Sequence, residues 1–110
     1  MRLPAALAAL ALPAAALAQT TPEGLVRHYT CAGGAHLAAA YINPPEGGSY
    51  AVVVFDGQMT PTKAGLSGSG VRYISIGEPK LVWHTKGNVG FLAHDDADET
   101  MILKDCNEAG

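Results

Sequence analysis

The 110-residue chain reads as an all-β domain, a small eight-stranded antiparallel barrel closed by one disulfide. Three observations predict this. Short runs rich in Val, Ile, Tyr, Phe and Thr recur at regular spacing. Glycine and proline turn signals separate them, with no amphipathic helix of useful length between. Two cysteines, Cys31 and Cys106, bracket nearly all of the runs.

The first 18 residues stand apart from this domain. Arg2 gives a positive start, Leu3 to Leu17 is mostly Ala and Leu, and Ala16-Leu17-Ala18 has the small-x-small form of an export cleavage site. The apolar run is too short and alanine-rich for a spanning helix, and no cysteine follows it to accept a lipid. The expected product is a periplasmic or secreted domain, residues 19–110, with no stable membrane anchor.

Within that domain, Val26 to Cys31 alternates its side chains between two faces and forms the first strand; Gly33-Gly34 turns the chain into Leu37 to Ile42. Asn43-Pro44-Pro45-Glu46-Gly47-Gly48 is a loop, because two prolines and two glycines exclude regular structure. Tyr50 to Phe55 carries three consecutive valines and is the strongest strand signal, and Asp56-Gly57 after it is a hairpin turn. Gln58 to Lys63 returns, with Pro61 suggesting an edge or a bend. The glycine- and serine-rich Gly65 to Gly70 bends into Val71 to Ile76, and Gly77-Glu78-Pro79 turns again. Leu81 to Thr85, the turn Lys86-Gly87-Asn88, and Val89 to His94 make the next hairpin. The acidic run Asp95-Asp96-Ala97-Asp98-Glu99 loops into a last strand, Thr100 to Lys104, ending at Cys106. Eight strands in so short a chain favour a barrel whose interior is filled by side chains.

Composition narrows the function. Seven Lys and Arg face ten Asp and Glu, a net charge of −3, or −4 once Arg2 leaves with the signal. An acidic domain lacks the basic stripe that nucleic acid requires and suits a basic partner. Two cysteines in a small exported domain pair as a structural disulfide; the loop of 106 − 31 = 75 positions contributes about 4 kcal/mol in the chain-entropy model. There is no Gly-x-Ser-x-Gly elbow, and no cysteine is expected to be free. His28, His36, His84 and His94 lack ligand spacing, so neither a metal nor another cofactor is expected. The acidic run lacks the alternating ligands and fixed glycine of a calcium loop and reads as a solvated turn. The chain is not expected to be an enzyme.

Two segments remain, Ser69-Gly70-Val71-Arg72-Tyr73 and Thr85-Lys86-Gly87. Each alone is ordinary turn chemistry. With Tyr29-Thr30-Cys31 before them, Ser49-Tyr50-Ala51-Val52-Val53-Val54-Phe55-Asp56-Gly57 as a central strand and Asp105-Cys106 after them, the chain resembles the membrane-bound and periplasmic inhibitors of c-type lysozyme. The resemblance covers nearly the whole exported domain. It implies a barrel that plugs the enzyme's cleft, with c-type lysozyme as partner and Ser69, Gly70, Tyr73, Lys86 and Gly87 at the interface. By the family's pattern Ser69 and Lys86 meet the two catalytic carboxylates; Tyr73, four residues after Ser69 and so on the same strand face, is expected to brace the loop.

The chain departs from the pattern in two places. Its spacing of 86 − 69 = 17 positions is a few residues longer, the excess falling at Ile76-Gly77-Glu78-Pro79, and His84 stands where the family carries an aromatic. Excess confined to the hairpin tip preserves the register; a shift of one residue would turn Lys86 to the other face. The competing expectations are a saccharide- or protein-binding module using Trp83, Tyr73 and Tyr50 as a platform, and, last, a metal carrier using the four histidines.

Overall fold

A computed structural model describes residues 24–109. The export-signal reading of residues 1–18 lies outside them. Eight strands, β1 (Gly24–Thr30), β2 (His36–Ile42), β3 (Tyr50–Phe55), β4 (Gln58–Gly65), β5 (Val71–Ser75), β6 (Leu81–Lys86), β7 (Val89–His94) and β8 (Met101–Glu108), pair in chain order into a closed antiparallel barrel. A single 3-10 turn, Ala32–Gly34, joins β1 to β2.

Closure depends on a narrow seam. β1 meets β8 through two residue pairs, Tyr29 with Glu108 and Thr30 with Asn107. The next pair in that register is Cys31 with Cys106, and these two form the disulfide. Arg27 and Glu108 add an ion pair, and Ala109 N–H donates to the His28 carbonyl at 2.8 Å. The bridge thus staples the seam itself, where the fewest backbone hydrogen bonds hold the sheet together. The last strand runs further than the sequence suggested, through Cys106 to Glu108, because closure needs those residues to pair with both β7 and β1.

Alternation sorts the side chains. Tyr29, Leu37, Ala39, Ala51, Val53, Tyr73, Trp83, Leu92 and Leu103 point inward and are buried. Small residues on β2 and β3 leave room for one indole, Trp83, whose ring meets Tyr29 edge-on at 5.0 Å between centroids. Gly90 completes the cradle: a Cβ there would stand 2.8 Å from the indole carbon Cη2 and 2.8 Å from the His84 carbonyl oxygen. The inward hydroxyl of Thr62 donates to the Ala51 carbonyl at 2.7 Å, so its burial leaves no donor unpaired.

Pro61 is neither at an edge nor in a bend. It lies inside β4, paired with Val52 of β3. Its carbonyl accepts from Ile76 N–H at 3.0 Å, so its nitrogen faces β5 just past the last pair of that ladder, Thr62 with Ser75. The missing donor therefore costs no ladder bond.

The β5–β6 hairpin keeps its excess length at the tip. Tyr73 pairs with Trp83 and Ile74 with Val82. Beyond them the Ser75 hydroxyl accepts from Leu81 N–H at 2.6 Å and donates to the Leu81 carbonyl at 3.0 Å. One side chain pins the hairpin, and Ile76 to Lys80 project past the pin.

Candidate functional site

Three loops gather at one end of the barrel: 43–49 between β2 and β3, 66–70 between β4 and β5, and the turn 87–88 between β6 and β7. Between them the interior opens as a cavity of about 590 Å³, lined by Arg27, Tyr29, Tyr41, Tyr73, Thr85 and Glu108 among others.

The rim of this end carries the singled-out residues. Val71 pairs with Thr85, so the next positions outward, Gly70 and Lys86, face each other across the rim. Gly70 has φ 70°, and a methyl there would overlap the Thr85 carbonyl and stand 3.2 Å from Lys86 Cβ. Only glycine lets the 66–70 loop lie this close to the end of β6. Ser69 precedes this contact, and Lys86 ends β6 opposite Val89. Gly87, with φ 63°, turns the chain at once into β7. Ser69, Gly70, Lys86 and Gly87 are all exposed. Among the described residues Lys86 makes no ion pair and the Ser69 hydroxyl makes no hydrogen bond, so both are left to solvent or a partner.

Tyr73 is placed differently. It is 8% exposed, and its ring packs inside the barrel against Tyr41, 5.5 Å between centroids. The 66–70 loop is held by other residues: Ser67 Oγ donates to the Ser69 carbonyl at 2.7 Å, and His84 Nε2 lies 3.0 Å from the same oxygen. His84 in turn meets Phe91 edge-on at 5.1 Å.

The cavity floor is an aromatic network. Trp83 Nε1 donates to the Tyr41 hydroxyl at 2.8 Å, and the Tyr41 and Tyr29 hydroxyls share a hydrogen bond at 2.8 Å. Burial is the main cause that holds all three phenols, Tyr29, Tyr41 and Tyr73, protonated beyond the ordinary 10.0. Trp83, at 0% exposure, offers no platform to a saccharide, so the platform expectation fails on geometry.

The acidic run is tied down more than a solvated turn requires. Glu99 pairs with Arg72 at 3.0 Å, and Asp96 accepts from both the Thr100 N–H at 3.2 Å and its hydroxyl at 3.3 Å. The Thr100 N–H is the first cause that lowers the Asp96 carboxyl below its ordinary value. No three His, Cys, Asp or Glu side chains come together as metal ligands among the described residues. Sequence reading passed over Gly90, Ser67 and Ser75, although a glycine inside a strand pattern does signal close approach.

The comparisons with known proteins agree with this fold. A family model described as MliC, membrane-bound lysozyme-inhibitor of c-type lysozyme, matches residues 29–101. The periplasmic lysozyme inhibitor of C-type lysozyme from Salmonella typhimurium superposes with a TM-score of 0.71 at 26% identity, covering 80% of this chain and 100% of that one. Pseudomonas aeruginosa MliC, solved in complex with hen egg white lysozyme, superposes with a TM-score of 0.62 at 27% identity, covering 96% of this chain and 99% of that one. No curated protein sequence matches the chain.

Proposed function

The chain belongs to the MliC family of lysozyme inhibitors, and we propose that it blocks its target by laying the Ser69–Lys86 rim into the active-site cleft. It is an inhibitor of c-type lysozyme, with that enzyme as its protein partner, and is not itself an enzyme. The observation that carries the finer reading is the register across the rim. Gly70 faces Lys86, so a hydroxyl and an ammonium, both without a partner among the described residues, project from adjoining backbone.

Lysozyme needs one protonated and one ionised carboxyl group. An ammonium between them favours ionisation of both, which removes the general acid while the rim displaces the sugar. The Ser69 hydroxyl donates to a carboxylate oxygen without bringing a charge that must be desolvated. Gly70 and Gly87 keep the backbone low enough for close approach. Tyr73 acts from within, as part of the floor beneath Thr85. The net negative charge speeds encounter with a basic enzyme, an effect that fades with salt.

An exported domain of this kind would meet its target in the periplasm or outside the cell. The Salmonella relative is named as periplasmic and the family as membrane-bound, so this placement rests on the export-signal pattern alone.

Turbidimetric lysis of cell walls by a c-type lysozyme, titrated with the oxidised protein, tests the mechanism. Ser69→Ala and Lys86→Ala are each expected to weaken inhibition by about 1 to 3 kcal/mol with thermal stability unchanged, as exposed hot-spot residues would. Full inhibition by both folded variants would sink the cleft insertion while leaving inhibition itself intact.

A further inference from the structure

The loop that carries Ser69 makes few hydrogen bonds among the described residues. Residues 66–70 are exposed, four of the five being Ser or Gly, and such a segment is floppy unless something holds it. What holds it is concentrated on one atom, the Ser69 carbonyl oxygen. That oxygen meets Ser67 Oγ at 2.7 Å from within the loop and His84 Nε2 at 3.0 Å from β6. A carbonyl oxygen can only accept, so Nε2 carries the hydrogen in this contact. Ser67 can tighten the loop on itself. Among the described residues, His84 alone ties it to the barrel by a side-chain hydrogen bond.

We propose that His84 is a positioning residue for inhibition: its Nε2–H fixes the Ser69–Gly70 peptide against the end of β6 and so presents the Ser69 hydroxyl beside Lys86. The inference rests on the cleft-insertion reading for its effect on lysozyme, while its effect on the loop does not.

Three further observations support it. His84 is half-buried on the outer face of β6, two residues before Lys86, with its ring held edge-on by Phe91. Arg72, its neighbour across the ladder, is engaged by Glu99 and so does not compete for the imidazole as a free cation. His84 Nε2 also stands 3.1 Å from where a Gly70 Cβ would lie, so ring and loop are in contact along the peptide and not only at one oxygen. A phenylalanine at this position would keep the contact with Phe91 and lose the donor. The histidine adds an anchor that an all-carbon ring lacks.

A preorganised loop raises apparent affinity through the fraction of molecules already competent to bind. Losing one hydrogen bond of ordinary net strength, about 0.5 to 1.5 kcal/mol, should therefore reduce association roughly two- to tenfold. Dissociation should hardly change, because the enzyme holds the loop once it is bound. The experiment compares wild type, His84→Phe and His84→Gln, all oxidised and folded, by two readouts. One is backbone 15N relaxation of residues 66–70 in the free protein; the other is association and dissociation with c-type lysozyme.

The expected result is lower loop order and slower association in His84→Phe, with both restored in His84→Gln, whose side-chain N–H reaches as far. Unchanged loop order in His84→Phe overturns the proposal whatever the kinetics. So does a His84→Gln variant as impaired as His84→Phe. A loss confined to dissociation overturns it too, since that would mean His84 touches the enzyme directly. If loop order follows the donor but wild type fails to inhibit, the anchor stands and the cleft-insertion reading falls.

Discussion

The interior and the rim of this barrel are built on opposite rules, and β6 supplies both. Trp83 sits at its centre with the indole N–H paired to Tyr41 and the ring enclosed by Tyr29 and Gly90. Three residues on, Lys86 stands exposed with no ion pair among the described residues. A polar group satisfied inside the protein contributes to stability and has nothing left to offer a partner. One that is satisfied only by water costs the fold nothing and can exchange that water for a ligand. The two kinds of residue should therefore separate cleanly under mutation.

The largest expected effect lies in the interior. Trp83→Ala removes the indole that fills the barrel and with it the N–H that donates to the Tyr41 hydroxyl. The cost should be about 3 to 5 kcal/mol, a large part of what a domain this size has. Denaturant unfolding measures it, and inhibition by the fraction still folded should stay near wild type. A variant with normal unfolding and lost inhibition would erase the distinction between the two regions.

That division also explains what could be read from the sequence. Alternation and turn residues gave all eight strands and the hairpin order, because period two and glycine turns are local properties. Tyr50 to Phe55 is a strand for reasons wholly contained in its own residues and the Asp56-Gly57 turn. The path of β8 beyond Cys106 was not legible, since those residues are strand only because β7 and β1 flank them. The same holds for Pro61, harmless in an internal strand only because the neighbouring ladder stops beside it. Ser69 and Lys86 could be found as a pair through resemblance, but their adjacency depends on the register that Ser75 pins through Leu81. His84 and Ser67 were invisible as anchors, because their partner is a backbone oxygen and leaves no motif.

Gly70 sits where the two regions touch and gives a smaller, more informative effect. Gly70→Ala places a methyl on a residue with φ 70° and against the Thr85 carbonyl, so the loop must lift from β6. The left-handed backbone alone costs about 1 to 2 kcal/mol for a non-glycine residue. Because the loop is exposed and can move, the loss of stability should stay near that figure, while inhibition should fall by more than in Ser69→Ala. Thermal melts and the lysis titration together decide it. If inhibition survives with the loop displaced, Ser69 needs no fixed position, and the rim acts through Lys86 alone.

The smallest effect at neutral pH, and the one confined to the interior, is the alkaline limit of the fold. Burial raises Tyr29, Tyr41 and Tyr73 above the ordinary 10.0, so the folded state holds these protons more tightly than the unfolded chain does. Stability from this source is complete below about pH 10 and is lost as pH rises toward the folded values. Phenolate absorbance and β-sheet circular dichroism, followed in one alkaline titration, should therefore change together for these three residues, because ionisation and opening of the barrel are linked. Ionisation of all three with the sheet intact would mean the cavity admits enough water to solvate a phenolate. The floor would then belong with the rim, as surface open to a partner, and the division between satisfied interior and available edge would have to be redrawn one layer deeper.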